Sequence, residues 1–336
     1  MSNPYLSIIV AVRNDNYGGD FNARLQNFIS WNTRLLEEYK LKAEIVLVNW
    51  NPIEENQPLQ ELFNWPQNRK YVEYEIVEVT NAVHKTFVNE AIRKTVPLFE
   101  FVAKNVGIQR CSGEYILCTN ADIMLSESLV EILAQRKLKP SSLYRAIRLD
   151  FQSINSPSFS ELEIKKNCTT AFLRTGGVKL KQSLGFALAY RLAKVQDQLR
   201  KWALFPWLYI TAKTNFYQER KFLFRHAFNA CGDFALLDRK SWLSGCHYHE
   251  NTRISTHTDS IHLLTCLSNG IKPFDLDGFV YHQEHERRFN FSEVNPDMDD
   301  MFSRLLLEIR SLLNGNFVAP SNSWGCKEIK MEEEKF

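Results

Sequence analysis

The sequence predicts an α/β protein in which one mostly parallel sheet is flanked by helices, and three observations support this prediction. Continuous apolar runs such as Leu6–Val12 are typical of strands that are buried on both faces of a sheet. Segments with helical spacing of apolar residues lie between these runs. The two patterns alternate through about the first 125 residues, which favours parallel strands joined by right-handed crossovers.

The elements of this first part follow in a regular order. After the first strand, apolar side chains recur every three or four residues over Phe21–Tyr39 and predict a helix. "AEIVLVN" (43–49) predicts a second buried strand, and "KYVEYEIVEV" (70–79) alternates like a strand with one wet face. A helix through "FEFVAKNVGIQRC" then leads into the strand "EYILCT".

Beyond these elements the pattern is less regular. Residues 151–185 are rich in Ser, Asn and Lys and predict no clear element. Residues 186–228 contain eight Lys or Arg against two acidic residues, with Trp202 and Trp207 among them. This composition predicts a helical, basic and aromatic insert whose helical spacing ends at Pro206. Two interpretations stay open: a packed insert whose Lys and Arg snorkel to water, or a surface that binds a membrane or an acceptor.

The last part of the chain contains one strong helix signal. "MDDMFSRLLLEIRSLL" (298–313) is amphipathic with helical period. The residues "CKEIKMEEEKF" that follow predict a solvated, charged tail.

Composition and charge exclude several classes of protein. The formal net charge of +2 argues against a nucleic-acid binder driven by net charge. Seven cysteines without a C-x-x-C pair indicate a reducing compartment rather than a disulfide framework. The Leu6–Val12 run has no basic region before it and predicts a strand, not a signal peptide. No run approaches the about 18 apolar residues of a membrane-spanning helix, so we expect a cytoplasmic protein.

Polar clusters follow three of the predicted strands. In open parallel sheets, ligands bind in the crevice beyond the carboxyl ends of the strands, so clusters at this edge indicate a site. Neither a G-x-G-x-x-G fingerprint nor a Walker A loop is present in the sequence. The clusters are Arg13-Asn14-Asp15, Asn49-Trp50-Asn51 and Asn120-Ala121-Asp122.

Several segments, in this order, resemble a known enzyme family: "SIIVAVRND", "AEIVLVNW", "KNVGIQRCSGEYILCTNADIML" and "GDFALLDRKSWLSGCHYHE". The chain resembles the nucleotide-sugar glycosyltransferases of the A-type fold, in particular the large inverting family 2. "TDSIHLLTCLSNG" and "YHQEH" are similar to the galactosyltransferase and chondroitin-polymerase branch. The resemblance covers roughly residues 5–135 and 229–290 and implies a single Rossmann-like, mostly parallel sheet flanked by helices.

The resemblance implies a divalent metal at the end of the fourth strand. Asp122 matches the last carboxylate of the family's D-x-D motif, which binds the cation that holds the donor's diphosphate. Asn120 replaces the first Asp, and its amide can hydrogen-bond a ribose hydroxyl. His282 matches a histidine that completes the metal shell, and imidazole beside carboxylate favours Mn²⁺ over Mg²⁺. The alternative is that His282 and His285 are ordinary loop histidines.

The resemblance also implies where the donor binds. Asn105 matches the A-R-N-x-G helix beneath the diphosphate, where Lys104 replaces the usual Arg and can pair with phosphate as a point charge. The alternative is that Asn105 is an ordinary residue on the helix surface. Four side chains at the ends of the first two strands would contact the nucleobase and ribose of a uridine-type nucleotide: Arg13, Asn14, Asn49 and Asn51.

Inversion at the anomeric carbon requires a base that deprotonates the acceptor hydroxyl. Asp259 matches the family's catalytic Asp, because Gly270 follows at the family's spacing. Thr258 stands where the family usually has Glu. The alternative is that Thr258 or Asp259 only caps the helix. Asp233 in "CGDF" is the second candidate for the base.

These inferences lead to one function and two alternatives. We expect a metal-dependent, inverting glycosyltransferase of polysaccharide biosynthesis that moves a sugar from a nucleoside diphosphate sugar to a hydroxyl of a saccharide or lipid-linked acceptor. A sugar-nucleotide nucleotidyltransferase shares the parallel sheet, but "AVRNDNYGGD" fits its Gly-rich loop poorly. A non-catalytic binder of sugar nucleotides or glycans is suggested by the missing Asp at position 120 and Glu at position 258.

The same reading divides the chain into four parts. No nucleic-acid partner is expected, and the insert is the candidate contact with the inner face of a membrane. The parts are a nucleotide-sugar-binding half (1–150), a variable insert (151–228), an acceptor-binding and catalytic half (229–315) and a tail (316–336).

Overall fold

A computed structural model gives the architecture of the chain. Within the described residues, eleven strands join in one sheet with helices packed on both faces, so the predicted α/β class is confirmed. The described residues are 3–88, 96–152, 159–210, 217–226, 232–250, 257–285, 298–318 and 324–336.

The strands confirm the predicted start of the chain. The apolar run after residue 5 is the first strand, and every one of its residues is buried. The strands are β1 (Leu6–Val12), β2 (Ala43–Trp50), β3 (Val72–Val79), β4 (Tyr115–Thr119), β5 (Ile123–Leu125), β6 (Ser142–Phe151), β7 (Cys168–Leu173), β8 (Gly176–Lys179), β9 (Ala235–Asp238), β10 (Lys272–Gln283) and β11 (Glu332–Lys335).

The helices include the two that the sequence predicted most clearly, at Phe21–Glu38 and Met298–Leu313. The helices are α1 (Phe21–Glu38), α2 (Leu59–Leu62), α3 (Asn81–Phe87), α4 (Glu100–Arg110), α5 (Glu127–Ala134), α6 (Glu161–Lys166), α7 (Phe186–Ile210), α8 (Tyr217–Arg225), α9 (Arg239–Leu243), α10 (Thr258–Ser268) and α11 (Met298–Leu313).

The sheet order is β11-β3-β2-β1-β4-β9-β6-β10-β5, and β7 and β8 extend from β6 as a hairpin. β1 pairs in parallel with β2 and β4, and β2 with β3. β9 is antiparallel to both β4 and β6, and β10 is parallel to β6. The strands β1, β2, β3, β4, β6 and β10 therefore all run in one direction, and their carboxyl ends meet at one edge of the sheet.

Both faces of the sheet are covered by apolar cores. Along β1, Ile8 and Val10 belong to the core beneath α1 and α5, and Ile9 and Ala11 to the core beneath α4, α9, α10 and α11. A Cβ on Gly107 would lie 2.5 Å from the Ile9 side chain, so only glycine lets α4 approach β1 this closely. This double burial explains why the first strands are continuous apolar runs.

Three sequence predictions need correction. Residues 151–185 do contain regular structure, namely the end of β6, α6, β7 and β8. Their polar residues are tolerated because α6 starts with a capping box formed by Ser160 and Glu163, and because β7 and β8 lie at the margin of the sheet. The helix α7 does not end at Pro206 but continues to Ile210.

The charged tail is the third correction. Its charged side chains are exposed as expected, but Glu332–Lys335 pairs antiparallel with β3 and extends the sheet. Lys335 forms a 2.9 Å ion pair with the buried Glu75, and Phe336 packs against Trp65. The charged tail therefore forms a strand at the margin of the sheet.

Among the described residues, no helix combines the length and apolar character required to cross a bilayer.

Candidate active site

The carboxyl edge of the sheet brings together residues from distant parts of the sequence. Asp122 lies in the turn between β4 and β5. The strand β5 pairs with β10, and this pairing places Ile123 opposite His282. His285 follows two residues after β10. One possible ligand atom from each of these side chains lies within 4.8 Å of the others. The predicted pair of Asp122 and His282 is thus brought together, and His285 joins it.

The donor atoms of this group suit a divalent metal. His285 Nε2 lies 3.3 Å and His282 Nε2 3.8 Å from Asp122 Oδ2. Asp122 Oδ1 is buried and accepts no hydrogen bond, which leaves one carboxylate oxygen for a ligand. One carboxylate and two imidazoles form a mixed oxygen and nitrogen set that suits Mn²⁺ and other transition metals. On sequence alone, His285 is also compatible with an ordinary loop histidine, although it stands in H-x-x-H spacing with His282.

Asp122 is held as a carboxylate by its surroundings. Burial acts to raise its pKa, but the imidazole of His282, a hydrogen bond from His285 and the guanidinium of Arg24 outweigh burial and lower the pKa below its ordinary value. Arg24 NH1 donates to Asp122 Oδ2 over 2.9 Å, and Arg24 Nε is held by Asp20. Arg24 lies on α1, and no local pattern in the sequence identified it.

A second carboxylate orients His282. Asp150 Oδ1 lies 3.2 Å from His282 Nδ1 and accepts a 2.6 Å hydrogen bond from Arg148 Nε. Burial acts to raise the pKa of Asp150, but these two partners outweigh burial and lower it. A carboxylate that binds the second nitrogen of a metal-ligating histidine is a recurrent arrangement, because it fixes the tautomer and the ring orientation.

Arg148 connects this side of the site to Asp233. Its NH1 donates to Asp233 Oδ2 over 2.9 Å, and its NH2 lies 3.0 Å from His282 Nδ1. The Asp233 carboxylate also accepts a 3.0 Å hydrogen bond from the Asn120 amide. Asp233, just before β9, is thus bound by Asn120 after β4 and by Arg148 of β6.

Asn120 is held between two charges of opposite sign. Its Oδ1 accepts a 2.7 Å hydrogen bond from Lys104 Nζ, while its Nδ2 donates to Asp233. Lys104 is completely buried and also pairs with Glu100 at 2.6 Å. The expectation that Lys104 meets a phosphate directly therefore needs correction, because its ammonium lies beneath Asn120 and is bound within the protein. An amide suits position 120 because it donates to one neighbour and accepts from the other.

Asp259 lies in the first turn of α10, half-buried near two other acidic residues. Burial raises its pKa to about 6, and the charges of Asp233 and Glu100 act in the same direction. Its Oδ1 accepts a 2.8 Å hydrogen bond from the Ser260 backbone N–H. His257, rather than Thr258 or Asp259, is the N-cap residue.

Glycines shape both ends of this helix. A Cβ on Gly232 would lie 3.0 Å from Asp259 Oδ2 and would crowd the carboxylate. Gly270 has a φ of 75° just after α10, which is the left-handed conformation typical of a helix end. The glycine whose spacing marked Asp259 in the sequence therefore ends the helix.

The predicted donor-binding residues at the ends of β1 and β2 form a connected network. Arg13 Nε donates to the Asn51 carbonyl over 2.7 Å, and its NH1 pairs with Asp15 at 2.8 Å. Asn14 donates to the Ile53 carbonyl and accepts from the Ile53 N–H. These contacts fix the loop after β2 against the end of β1, where the sequence placed the nucleotide.

The buried side-chain amides of Asn51 and Asn49 differ in whether an oxygen atom is left without a hydrogen bond. Asn51 donates to the Pro97 carbonyl and accepts from Asn81. Asn49 donates to Glu78 over 3.0 Å, while its Oδ1 is buried and makes no hydrogen bond.

Asn105 is a buried connector rather than a helix-surface residue. Its amide donates to the Tyr248 carbonyl and to Glu250 Oε1, both at 2.9 Å, and its Oδ1 accepts from the Tyr248 N–H. Glu250 in turn accepts a 2.8 Å hydrogen bond from the Gly325 N–H. Asn105 thereby holds the segment before α10 against α4.

The solved structures that are similar to this chain include two of S. aureus TarS. No protein-family model matches the chain, and no curated protein sequence matches it either. A crystal structure of S. aureus TarS 1–349 matches with a TM-score of 0.42 and 10% sequence identity, covering 93% of this chain and 71% of that one. A second structure of S. aureus TarS has a TM-score of 0.39 and 11% identity, with 93% of this chain and 43% of that one covered. The chemistry of the site therefore rests on its own residues.

Proposed function

We propose that this protein is a metal-dependent glycosyltransferase that moves a sugar, with inversion, from a nucleoside diphosphate sugar to a hydroxyl of a saccharide or lipid-linked acceptor. The observation that carries the proposal is the group formed by Asp122, His282 and His285 at the carboxyl edge of the sheet. A second carboxylate, Asp259, has a pKa raised to about 6 and supplies a base. The segment order that resembles inverting glycosyltransferases supports the same function.

The proposed metal ligands are Asp122, His282 and His285. The mixed donor set favours Mn²⁺ over Mg²⁺, which usually keeps an all-oxygen shell. When bound, such a cation neutralises the negative charge that develops on the leaving diphosphate. Asp150 contacts His282 and Arg24 contacts Asp122, so that these two ligands are oriented before the donor binds.

The resemblance implies that all four residues at the ends of β1 and β2 contact the nucleotide, and the hydrogen bonds of these residues lead us to propose that contact for only two of them. Arg13 and Asn49 are proposed to contact the nucleotide, because Asn49 has a buried oxygen without a partner. Asn14, Asn51 and Asn105 are proposed to shape the donor site, because their amides bind neighbouring segments. Asn120 is proposed to meet the ribose beside Asp122.

Asp259 is proposed to be the general base. In the proposed step, the acceptor hydroxyl gives its proton to the Asp259 carboxylate as its oxygen bonds to the anomeric carbon. The bond between that carbon and the diphosphate oxygen breaks, and the diphosphate leaves with the electron pair. A pKa near 6 leaves most of the carboxylate ionised at neutral pH while keeping it basic enough to accept the proton.

The acceptor side is proposed to lie in residues 229–315, with the donor half in 1–150. The insert at 186–228 is proposed to contact the acceptor or the inner face of a membrane that carries it. Part of this insert, including 211–216 and the side chain of Trp207, lies outside the described residues.

Calorimetry with nucleoside diphosphates and Mn²⁺ tests the proposal. The wild type should bind a nucleoside diphosphate in the presence of Mn²⁺ and lose this affinity when a chelator is added. Asp122→Ala should remove the metal-dependent part of the affinity, whereas Asp275→Ala, which removes a carboxylate outside the site, should leave it unchanged. Equal metal-dependent affinity in Asp122→Ala and the wild type contradicts the assignment of the site. Release of pyrophosphate from a nucleoside triphosphate and a sugar phosphate would instead identify a nucleotidyltransferase.

A further inference from the structure

The helix α7 carries an exposed apolar face. Its side chains lie at spacings of four and three residues, so they share one face over a length of about 21 Å. Their exposed fractions range from 48% to 65%, and because they are contiguous they form an apolar patch of the kind that marks an interaction site. The members of this face, called the α7 stripe, are Leu188, Leu192, Val195, Leu199 and Trp202.

The opposite face of α7 is already used for packing. Ala189 and Ala193 are buried, and Phe186 and Tyr190 pack against Phe279 of β10. Asp197 accepts hydrogen bonds from the backbone and hydroxyl of Thr175. The helix is therefore fixed to the sheet by one face and presents the α7 stripe outward.

Basic residues border the α7 stripe on both sides. Arg191 and Lys194 are exposed on one side. On the other side, a depression between α6 and the start of α7 is lined by the exposed Lys166 and by Lys165, which pairs with Glu161 at 2.7 Å. Over residues 186–203 the helix carries four basic residues and one acid, Asp197, which already binds Thr175.

This charge pattern distinguishes between two occupants. A second copy of the chain, packed stripe against stripe, would place basic residues opposite basic residues, because the helix offers no uncommitted acid to pair with them. An anionic lipid surface complements the basic borders, and leucine and tryptophan enter the boundary between headgroups and acyl chains.

We infer that the α7 stripe is a docking surface for an anionic lipid bilayer. The inference builds on the proposed function, in which the insert contacts either the acceptor or a membrane. It assigns the membrane surface as the partner of α7. Docking through the α7 stripe and its basic borders requires neither donor nor transfer. Vesicle binding and sugar transfer can therefore fail independently of each other.

The test is co-sedimentation of the full chain with vesicles. Vesicles of phosphatidylglycerol and phosphatidylcholine should bind the wild type, and vesicles of phosphatidylcholine alone should bind it less. Leu192→Gln/Leu199→Gln should weaken binding by about tenfold or more, since each leucine loses its apolar contact. Arg191→Gln/Lys194→Gln should weaken it too, and high salt should weaken binding of the wild type.

The matched control is Leu307→Gln/Leu313→Gln, which makes the same change at two exposed leucines of α11. This control should sediment with vesicles like the wild type. If the α7 double variant folds poorly, the single variant Val195→Glu replaces it, because it places a negative charge on the stripe. Equal sedimentation of the α7 variant and the wild type overturns the inference, as does a wild type that binds no vesicles. A wild-type dimer that the α7 variant converts to a monomer, measured by analytical ultracentrifugation, identifies a second copy instead and also overturns it.

Discussion

At the scale of single residues, Asp259 links the proposed chemistry to pH. Burial and the neighbouring charges of Asp233 and Glu100 raise its pKa to about 6. If Asp259 is the base, the transfer rate should fall about tenfold for each pH unit below 6, because only the carboxylate accepts a proton. Asp259→Asn should lower transfer by roughly 10²–10⁴ at neutral pH. Rates measured from pH 5 to 8 on a known acceptor check this, and a variant that keeps a tenth of wild-type transfer contradicts it.

The same carboxylate should destabilise the folded protein at neutral pH. Its folded pKa of about 6 lies above the ordinary value of 3.8, so the folded state binds more protons between these values and loses stability as the pH rises through 6. Asp259→Asn should therefore increase the free energy of unfolding by about 1–3 kcal/mol at pH 7.5. Urea unfolding measures this, and the difference between variant and wild type should nearly vanish near pH 4. A variant less stable than the wild type at pH 7.5 would show that the carboxylate is needed structurally.

We expect Asp150 to increase the affinity for Mn²⁺ by orienting His282. Its Oδ1 lies 3.2 Å from His282 Nδ1 and fixes that imidazole for a metal. Asp150→Asn should lower Mn²⁺ affinity by about 10–100-fold, as loss of such a supporting partner usually does. The signal of free Mn²⁺ in electron paramagnetic resonance gives the affinity.

Asp275→Asn is the matched control for Asp150→Asn. Asp275 also pairs with an arginine of β6, Arg145, but at the opposite end of β10 from His282. The control should bind Mn²⁺ like the wild type. Equal losses in the two variants would mean that the effect comes from destabilised strands and not from the orientation of His282.

At the scale of elements, local sequence patterns are sufficient to predict a strand where all of its residues are buried. β1 and β2 are buried on both faces, and their apolar runs predicted them. The sequence does not predict β11, because Glu and Lys are poor strand formers and because its partners, the strand β3 and Glu75, lie far away in the sequence. Arg24 and Asp150 carry no local signal in the sequence, because only the folded chain brings them to Asp122 and His282, whereas His285 stands in H-x-x-H spacing with His282.

β11 should contribute measurably to stability. Removing residues 332–336 deletes a strand, the ion pair to Glu75 and the contact of Phe336 with Trp65. The truncation removes Lys335 and so leaves the Glu75 carboxylate, whose pKa burial already raises, without its cation. The truncation should lower the free energy of unfolding by about 2–4 kcal/mol, measured by urea unfolding. Adding Glu75→Gln to the truncated chain should recover part of the loss, and a truncation without effect would show that the strand is dispensable.

At the scale of the whole molecule, the candidate metal group joins elements that are far apart in the sequence. Asp122 comes from the turn after β4, His282 and His285 from the end of β10, Arg24 from α1 and Asp150 from β6. Arg24 and the two imidazoles surround the one buried carboxylate, Asp122. A cation bound there would connect both halves of the sheet.

Mn²⁺ should therefore stabilise the whole fold, even without nucleotide. At a free concentration one hundred times its dissociation constant, a ligand that binds only the folded state adds about 2.7 kcal/mol, which should raise the melting temperature by roughly 5 °C for a chain of this size. Differential scanning calorimetry measures the shift. Asp122→Asn keeps the volume and polarity of the side chain but removes the charge that a cation requires, so the shift should disappear. The Asp275→Asn control should keep the shift. An equal shift in Asp122→Asn and the wild type would mean that Mn²⁺ binds elsewhere on the protein, and the proposed ligands would then be wrong.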